Sequence, residues 1–103
     1  MQVIAREEVW AVAPDGTEFV LVLSVESPKH VDEEEWSCAV HLDGLHQHLR
    51  PIHGVTSWQA LQLAIRLAHD LVADFISKGG RIYFEPGGEP HEFKLLFPLS
   101  PSN

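Results

Sequence analysis

Four of the seven histidines lie close together in the sequence: His41, His46, His48 and His53. Imidazole nitrogens bind zinc and nickel, with a carboxylate or a water molecule as a further ligand. If Asp43-Gly44 forms a two-residue turn, His41 faces His46 across a hairpin and His48 lies on the same face. The pattern therefore predicts His41, His46 and His48 as a metal site. Solvent-exposed histidines without metal are the stronger alternative, because no spacing such as H-E-x-x-H is present, so we expect no cofactor.

Other residue types that carry catalysis lack the neighbours that catalysis needs. Cys38 could act as a nucleophile with a histidine base, but strand parity places it on the core face while His41 points away. Gly79-Gly80 and Gly87-Gly88 do not open a helix and are not followed by Lys-Ser/Thr, so they indicate a helix cap and a turn rather than a phosphate site. Since no nucleophile, base and orienting group converge, we expect a protein that is not an enzyme.

The charge of the chain favours a protein as the partner. Fifteen Asp and Glu residues against seven Lys and Arg residues give a formal charge of −8. This sign opposes binding to phosphate backbones and to anionic lipids, so we expect neither nucleic acid nor a membrane as partner. The acidity is concentrated in residues 1–50, which suggests a basic protein partner.

Two features of the first half are the candidate contacts for such a partner. Trp10 lies on a first strand that we expect at the sheet edge, where an exposed aromatic side chain suits an interface. The acidic run comprises Asp32, Glu33, Glu34 and Glu35. By itself such a run is more typical of a solvated loop, and the sequence leaves open whether the chain forms a homodimer.

Alternating apolar residues predict strands before position 50. Residues 9–13 and 18–26 flank Pro-Asp-Gly and predict a first hairpin. The polar residues 28–35 predict an acidic loop. Residues 36–42 and 45–50 flank Asp43-Gly44 and predict a second hairpin. The apolar side chains of this hairpin share one face, which we expect to be the core face: Trp36, Cys38, Val40, Leu42, Leu45 and Leu49.

Residues 57–78 predict an amphipathic helix, because their apolar side chains recur with helical periodicity around Leu61. Thr56 and Gln59 fit a capping box, and Lys78-Gly79 fits a helix end. The apolar arc includes Trp58, which we expect in the core together with Trp36.

A shorter set of elements follows the helix. Residues 81–85 predict a strand, 92–97 a last strand or short turn, and 98–103 an irregular tail. Together the elements predict a single α+β domain over residues 1–103. It contains an antiparallel, meander-like sheet of four to six strands with one long helix packed on one face.

The sequence around the helix resembles a group of small bacterial proteins of unknown function, which have a strand-rich first half, a W-Q-A-L-x-L-A helix and a short strand. The matching residues are Gly54-Val55-Thr56-Ser57-Trp58-Gln59-Ala60-Leu61-Gln62-Leu63-Ala64 and Gly79-Gly80-Arg81-Ile82-Tyr83. Some toxin-immunity proteins share this order of elements, and the resemblance implies a protein that binds and occludes a partner. The resemblance implies no active-site residues for this chain.

The chain reads as cytoplasmic. Its one cysteine cannot form an internal disulfide, whereas small secreted domains often contain several. The first ten residues lack the apolar run of a signal peptide, and no stretch has the roughly 20 apolar residues of a membrane span.

Overall fold

The computed structural model describes residues 2–98. It is an α+β structure with antiparallel sheets and one long helix, as predicted. The elements in chain order are β1 (Val3–Val12), β2 (Glu18–Glu26), β3 (Lys29–Asp32), β4 (Glu35–Cys38), β5 (Val40–Asp43), β6 (Ile52–Gly54), α1 (Ser57–Ser77), β7 (Arg81–Tyr83) and α2 (Phe93–Leu96).

The seven strands form two sheets rather than the single sheet expected. The four-stranded sheet has the order β5-β2-β1-β7, and the three-stranded sheet has the order β3-β4-β6. The chain crosses between the two sheets four times: after β2, at Ala39 between β4 and β5, after β5, and after β6 by way of α1. Helix α1 contacts strands of both sheets, so one core joins the layers.

The first hairpin forms as predicted, but β1 begins at Val3 instead of residue 9. Val9 pairs with Leu21, and both side chains are buried. Gly16 takes a φ of 92° in the connecting turn, and the Thr17 N–H donates to Asp15 Oδ1 at 2.9 Å. This hydrogen bond lowers the pKa of the Asp15 carboxyl, since it favours the charged form.

The expected acidic loop at residues 28–35 is wrong, because this segment forms the β3-β4 hairpin. Asp32 pairs with Glu35, and Glu33 and Glu34 form the turn between them. The His30 and Trp36 rings stack across the two strands with centroids 4.7 Å apart. The polar composition of residues 28–35 gave no signal for a strand. The hairpin is nevertheless stabilised by cross-strand pairs such as His30 and Trp36.

The second expected hairpin, across Asp43-Gly44, is also wrong. Gly44 has a φ of 101°, whereas the φ of Asp43 is not positive, since every described residue with a positive φ is a glycine. A two-residue type I′ turn needs positive φ at both central positions, so the turn is wider. The Leu42 carbonyl accepts from the N–H groups of both Leu45 and His46. Pairing ends after a single bridge between Leu42 and His46.

The two strands expected in that hairpin find other neighbours. Strand β5 pairs with β2, with Leu42 opposite Leu23. Strand β4 pairs with β6, with Cys38 opposite Ile52. The parity of the core face is nevertheless confirmed at Cys38, Val40 and Leu42, which are all buried.

Helix α1 begins and ends as the capping residues predict. The Thr56 hydroxyl accepts from the Gln59 N–H at 3.0 Å, and Gln59 Oε1 accepts from the Val55 N–H at 2.7 Å. At the other end Gly79 has a φ of 102°, and the Gly80 N–H donates to the Phe75 carbonyl at 2.9 Å. These bonds satisfy helix-end groups that would otherwise lack partners.

The buried face of α1 is centred on the alanines of the helix rather than on Leu61, the centre of the predicted apolar arc. Its fully covered positions are Ala60, Ala64, Ala68, Val72 and Phe75. Trp58 therefore lies off the contact face and is 71% exposed, so its expected core position is wrong. Trp36 is half-buried and packs against the core.

The segment after α1 adds β7 to β1 and then a short helix. Ile82 of β7 pairs with Ala11, and both side chains are buried. Residues 93–96 form a helical turn, which agrees with the short turn rather than the strand of the two predicted alternatives. Of the expected irregular tail, only Pro98 lies within the described residues. Neither helix in the described part has the length and apolar character that a membrane crossing requires.

Candidate functional site

The face of the four-stranded sheet that points away from α1 carries an apolar row across three strands. We call it the outer face. Its side chains alternate with the buried Val9, Ala11 and Leu21. Trp10 stands at its centre, directly opposite Val20 on β2 and Tyr83 on β7.

Trp10 is thus on an interior strand, so the expected edge position is wrong at this residue. Its ring is half-buried among strand neighbours, and its Nε1–H donates to Glu18 Oε1 at 3.0 Å. Val20 beside it is 43% exposed. Neither residue belongs to the core cluster. The outer face therefore presents apolar surface to solvent within a regular, hydrogen-bonded sheet.

Acidic side chains outnumber basic ones on the outer face. Strand pairing places six charged residues there: Arg6, Glu8, Glu18, Glu26, Asp43 and Arg81. Arg6 is already bonded to Glu8 at 2.8 Å. The field around the Trp10 row is therefore negative, which suits a partner with basic groups.

The acidic run lies at the tip of the other sheet. Asp32, Glu33 and Glu34 are exposed, and Asp32 Oδ1 accepts from the Glu33 N–H at 2.8 Å. Glu35 is half-buried and its Oε2 lies 2.8 Å from His53 Nδ1. Trp10 and the acidic run are thus in different sheets, and the structure does not join them into one site.

The three histidines of the predicted metal site are not brought together. His41 Nε2 lies 2.6 Å from Glu26 Oε2, and the wider turn places His46 opposite Leu42 instead of His41. His48 is exposed in the segment after the turn. Within residues 2–98 no three His, Cys, Asp or Glu side chains are grouped so that they could hold a metal ion.

Cys38 is buried, and its thiol donates to the Glu26 carbonyl at 3.3 Å. Burial raises the pKa of this thiol, and the negative charge of Glu26 raises it further. The thiolate is the nucleophilic form of cysteine, so this environment keeps Cys38 unreactive.

Sequence reasoning missed a cleft on the inner side of the sheet. It has a volume of about 470 Å³ and is lined by the first half of β1, the second half of β2, and residues of β5, of α1 and of the segment 84–97. Its polar lining residues are Arg6, Glu7, Ser24 and His91, of which Arg6 is bonded to Glu8 at 2.8 Å. No sequence signal marked them, because the loop that places His91 beside β1 has no periodic pattern.

Residues 9–95 match a protein family described as a domain of unknown function, DUF6968. The chain belongs to this family. The match covers β2 to β7 and the start of α2, together with the part of β1 that carries Trp10. Searches among curated proteins and among solved structures found no match.

Proposed function

We propose that this protein is a non-catalytic protein-binding module that engages a basic partner protein through the outer face. The observation that carries the proposal is the row Tyr83, Trp10 and Val20, which stands on the side of the sheet opposite α1. Tryptophan and tyrosine are enriched among the residues that dominate binding energy at protein interfaces. A row held by three paired strands is also preorganised, which reduces the entropy lost on binding.

Charge supports a basic partner. The chain carries a formal charge of −8, and the row is flanked by carboxylates of Glu8, Glu18 and Asp43. Lysine or arginine side chains of a partner would pair with these groups at the rim, where charge mainly sets specificity and association rate. We propose that the exposed tip, Asp32 to Glu34, contributes to the same long-range attraction without touching the row.

The environment of the reactive side chains supports a non-catalytic role. The Cys38 thiol is buried and bonded to a carbonyl, and His41 is engaged by Glu26. A nucleophile needs an adjacent base within hydrogen-bond reach. These two contacts engage the thiol that would serve as nucleophile and the imidazole that would serve as base. An immunity-type role, in which the protein occludes a partner, is one form of the proposed function. We place it in the cytoplasm, where a free buried thiol is common.

A pair of matched variants tests the outer face. Val20→Lys introduces a positive charge beside Trp10, whereas Val31→Lys introduces the same charge on β3 of the other sheet. The two valines are similarly exposed, at 43% and 52%. Each variant is immobilised and compared with the unmodified chain for capture of proteins from extract, at low and high salt.

The proposal predicts a protein that the unmodified chain and Val31→Lys both retain, that Val20→Lys loses, and that elutes as salt rises. Equal retention by both variants would refute the outer face as the binding surface. Sedimentation of the purified chain provides a second readout. If the chain dimerises and Val20→Lys abolishes the dimer, the occupant is a second copy, and the basic partner is wrong.

A further inference from the structure

The cleft on the inner side of the sheet is apolar along most of its length. Its apolar lining side chains come from strands, α1 and the C-terminal segment: Leu23, Val25, Val40, Ile65, Phe84, Leu95, Leu96 and Phe97. Part of the rim is also apolar, since Ile65 is 40% exposed and Phe84 and Leu95 are 51% and 61% exposed. A volume of about 470 Å³ lies within the range of small-molecule sites.

His91 is fixed in one orientation at the polar end of the cleft. Its side chain is only 3% exposed, and its ring stacks on Phe84 with centroids 4.2 Å apart. Its backbone N–H donates to the Ile82 carbonyl at 2.9 Å. Ring Nδ1 lies 3.1 Å from the Glu92 carbonyl, which only accepts, so Nδ1 carries the proton. In the neutral ring Nε2 is then an acceptor.

The atom facing His91 Nε2 is a second acceptor. Glu7 Oε2 lies 3.8 Å away, beyond hydrogen-bond distance. The cleft thus ends in two acceptors, one of them charged, that a single donor group could contact together at about 2.8–3.0 Å from each.

We propose that the cleft binds a primary amine with an apolar tail. The ammonium group, which has three donors, would bond to Glu7 and to His91 Nε2, and the tail would lie against Leu23, Val25 and Ile65. Charge complementarity favours this class, because Glu7 attracts a cation and repels a carboxylate, whereas the charge of Arg6, which also lines the cleft, is paired with Glu8 at 2.8 Å. The competing arrangement is an ion pair between Glu7 and a protonated His91, which needs no ligand.

Phenethylamine is the probe, and its binding is followed by calorimetry and by the shifts of valine and leucine methyl signals. The titration is run at about pH 8, above the range in which free imidazole becomes charged. Phenylpropionate, which has a carboxylate in place of the amine, is titrated in parallel. Glu7→Gln removes the proposed ligand charge.

Glu34→Gln is the matched control, because Glu34 is an exposed glutamate like Glu7 but lies in the β3-β4 turn, outside the lining of the cleft. Both substitutions change the net charge equally. The proposal predicts saturable binding of phenethylamine that shifts cleft methyl signals. Glu7→Gln should weaken it about tenfold, as expected for loss of one charge-assisted hydrogen bond, while Glu34→Gln leaves it unchanged.

Three results would overturn the proposal. The first is the absence of saturable binding by the amine, which would leave the ion pair as the better account. The second is equal weakening by Glu7→Gln and Glu34→Gln, which would show general charge attraction. The third is binding of phenylpropionate as tight as that of phenethylamine, which would show that Glu7 plays no part in selecting the ligand. None of these results bears on binding at the outer face.

Discussion

At the scale of single residues, Glu26 organises the groups that could otherwise do chemistry. It is buried at the end of β2, with 9% of its surface exposed. Its carboxylate holds the His41 ring at 2.6 Å, and its carbonyl accepts the Cys38 thiol at 3.3 Å. These contacts satisfy polar groups near the junction of the two sheets, so the three side chains have a structural role.

The Cys38 thiol makes stability depend on pH in the alkaline range. Burial raises its pKa in the folded chain above the ordinary value of 9.0, so folding favours the protonated thiol. The unfolded chain loses this proton first as pH rises. The free energy of unfolding should therefore be unaffected by this group below about pH 8 and should fall as pH rises through 9 and beyond. Urea unfolding at a series of pH values measures the change.

Cys38→Ala is the control for this prediction, since it removes the titrating group while other residues still titrate. The decline in stability from about pH 8 to pH 10 should be smaller in the variant than in the unmodified chain. An identical decline in both would contradict the assignment. So would rapid alkylation of Cys38 in the folded protein at neutral pH.

Sequence parity predicted the burial of Cys38 but not its partners. The alternation of Cys38, Val40 and Leu42 is a local pattern. It predicts their burial correctly even though Cys38 and the other two residues lie in different sheets, on either side of Ala39. The bond between Glu26 and His41 depends on which strand lies beside β5. That pairing is non-local, so no spacing in the sequence reports it.

At the scale of elements, the small residues of α1 set how closely the helix lies on the sheets. Ala60, Ala64 and Ala68 are covered by strands, and a Cβ placed on Gly54 would lie 2.7 Å from the Ala60 nitrogen. The helix and β6 are therefore in backbone contact at this point. Larger side chains along the stripe would force the layers apart.

Ala64→Leu tests this packing. Ala64 has no exposed surface, so the added atoms must displace neighbours in a filled core. The free energy of unfolding should fall by about 1–3 kcal/mol, measured by urea or thermal unfolding. The exposed neighbour Gln62 provides the control, because Gln62→Leu should change stability by less than about 0.5 kcal/mol. Equal stability of both variants would show that α1 does not pack closely through Ala64.

The helix and the first hairpin could be predicted because their signals are local. Capping residues and a period near 3.6 define α1, and strict alternation defines β2. The prediction of the second hairpin failed because the Asp43-Gly44 turn was assigned from residue type alone. Asp43 lacks the positive φ that a two-residue turn requires. The β3-β4 hairpin was missed because its stabilising pair, His30 on Trp36, is a cross-strand contact within a polar segment.

At the scale of the molecule, the four-stranded sheet separates two surfaces. Its outer face bears the Trp10 row with an acidic rim, and its inner side carries the core and the cleft closed by residues 84–97. The exposed side chain of Trp58 lies on α1 and belongs to neither the Trp10 row nor the lining of the cleft. The proposed partner and the proposed amine would therefore occupy opposite sides of one sheet.

The indole N–H signals of the three tryptophans report most directly on the outer face. The partner recovered with the unmodified chain is purified and added to the nitrogen-15-labelled protein, and the indole signals are followed by NMR. The account predicts a shift of the Trp10 signal, because a basic partner would compete for the Glu18 carboxylate that its N–H contacts at 3.0 Å. The signal of Trp58, which is 71% exposed, should stay in place. A shift at Trp58 or Trp36 with Trp10 unchanged would contradict the account.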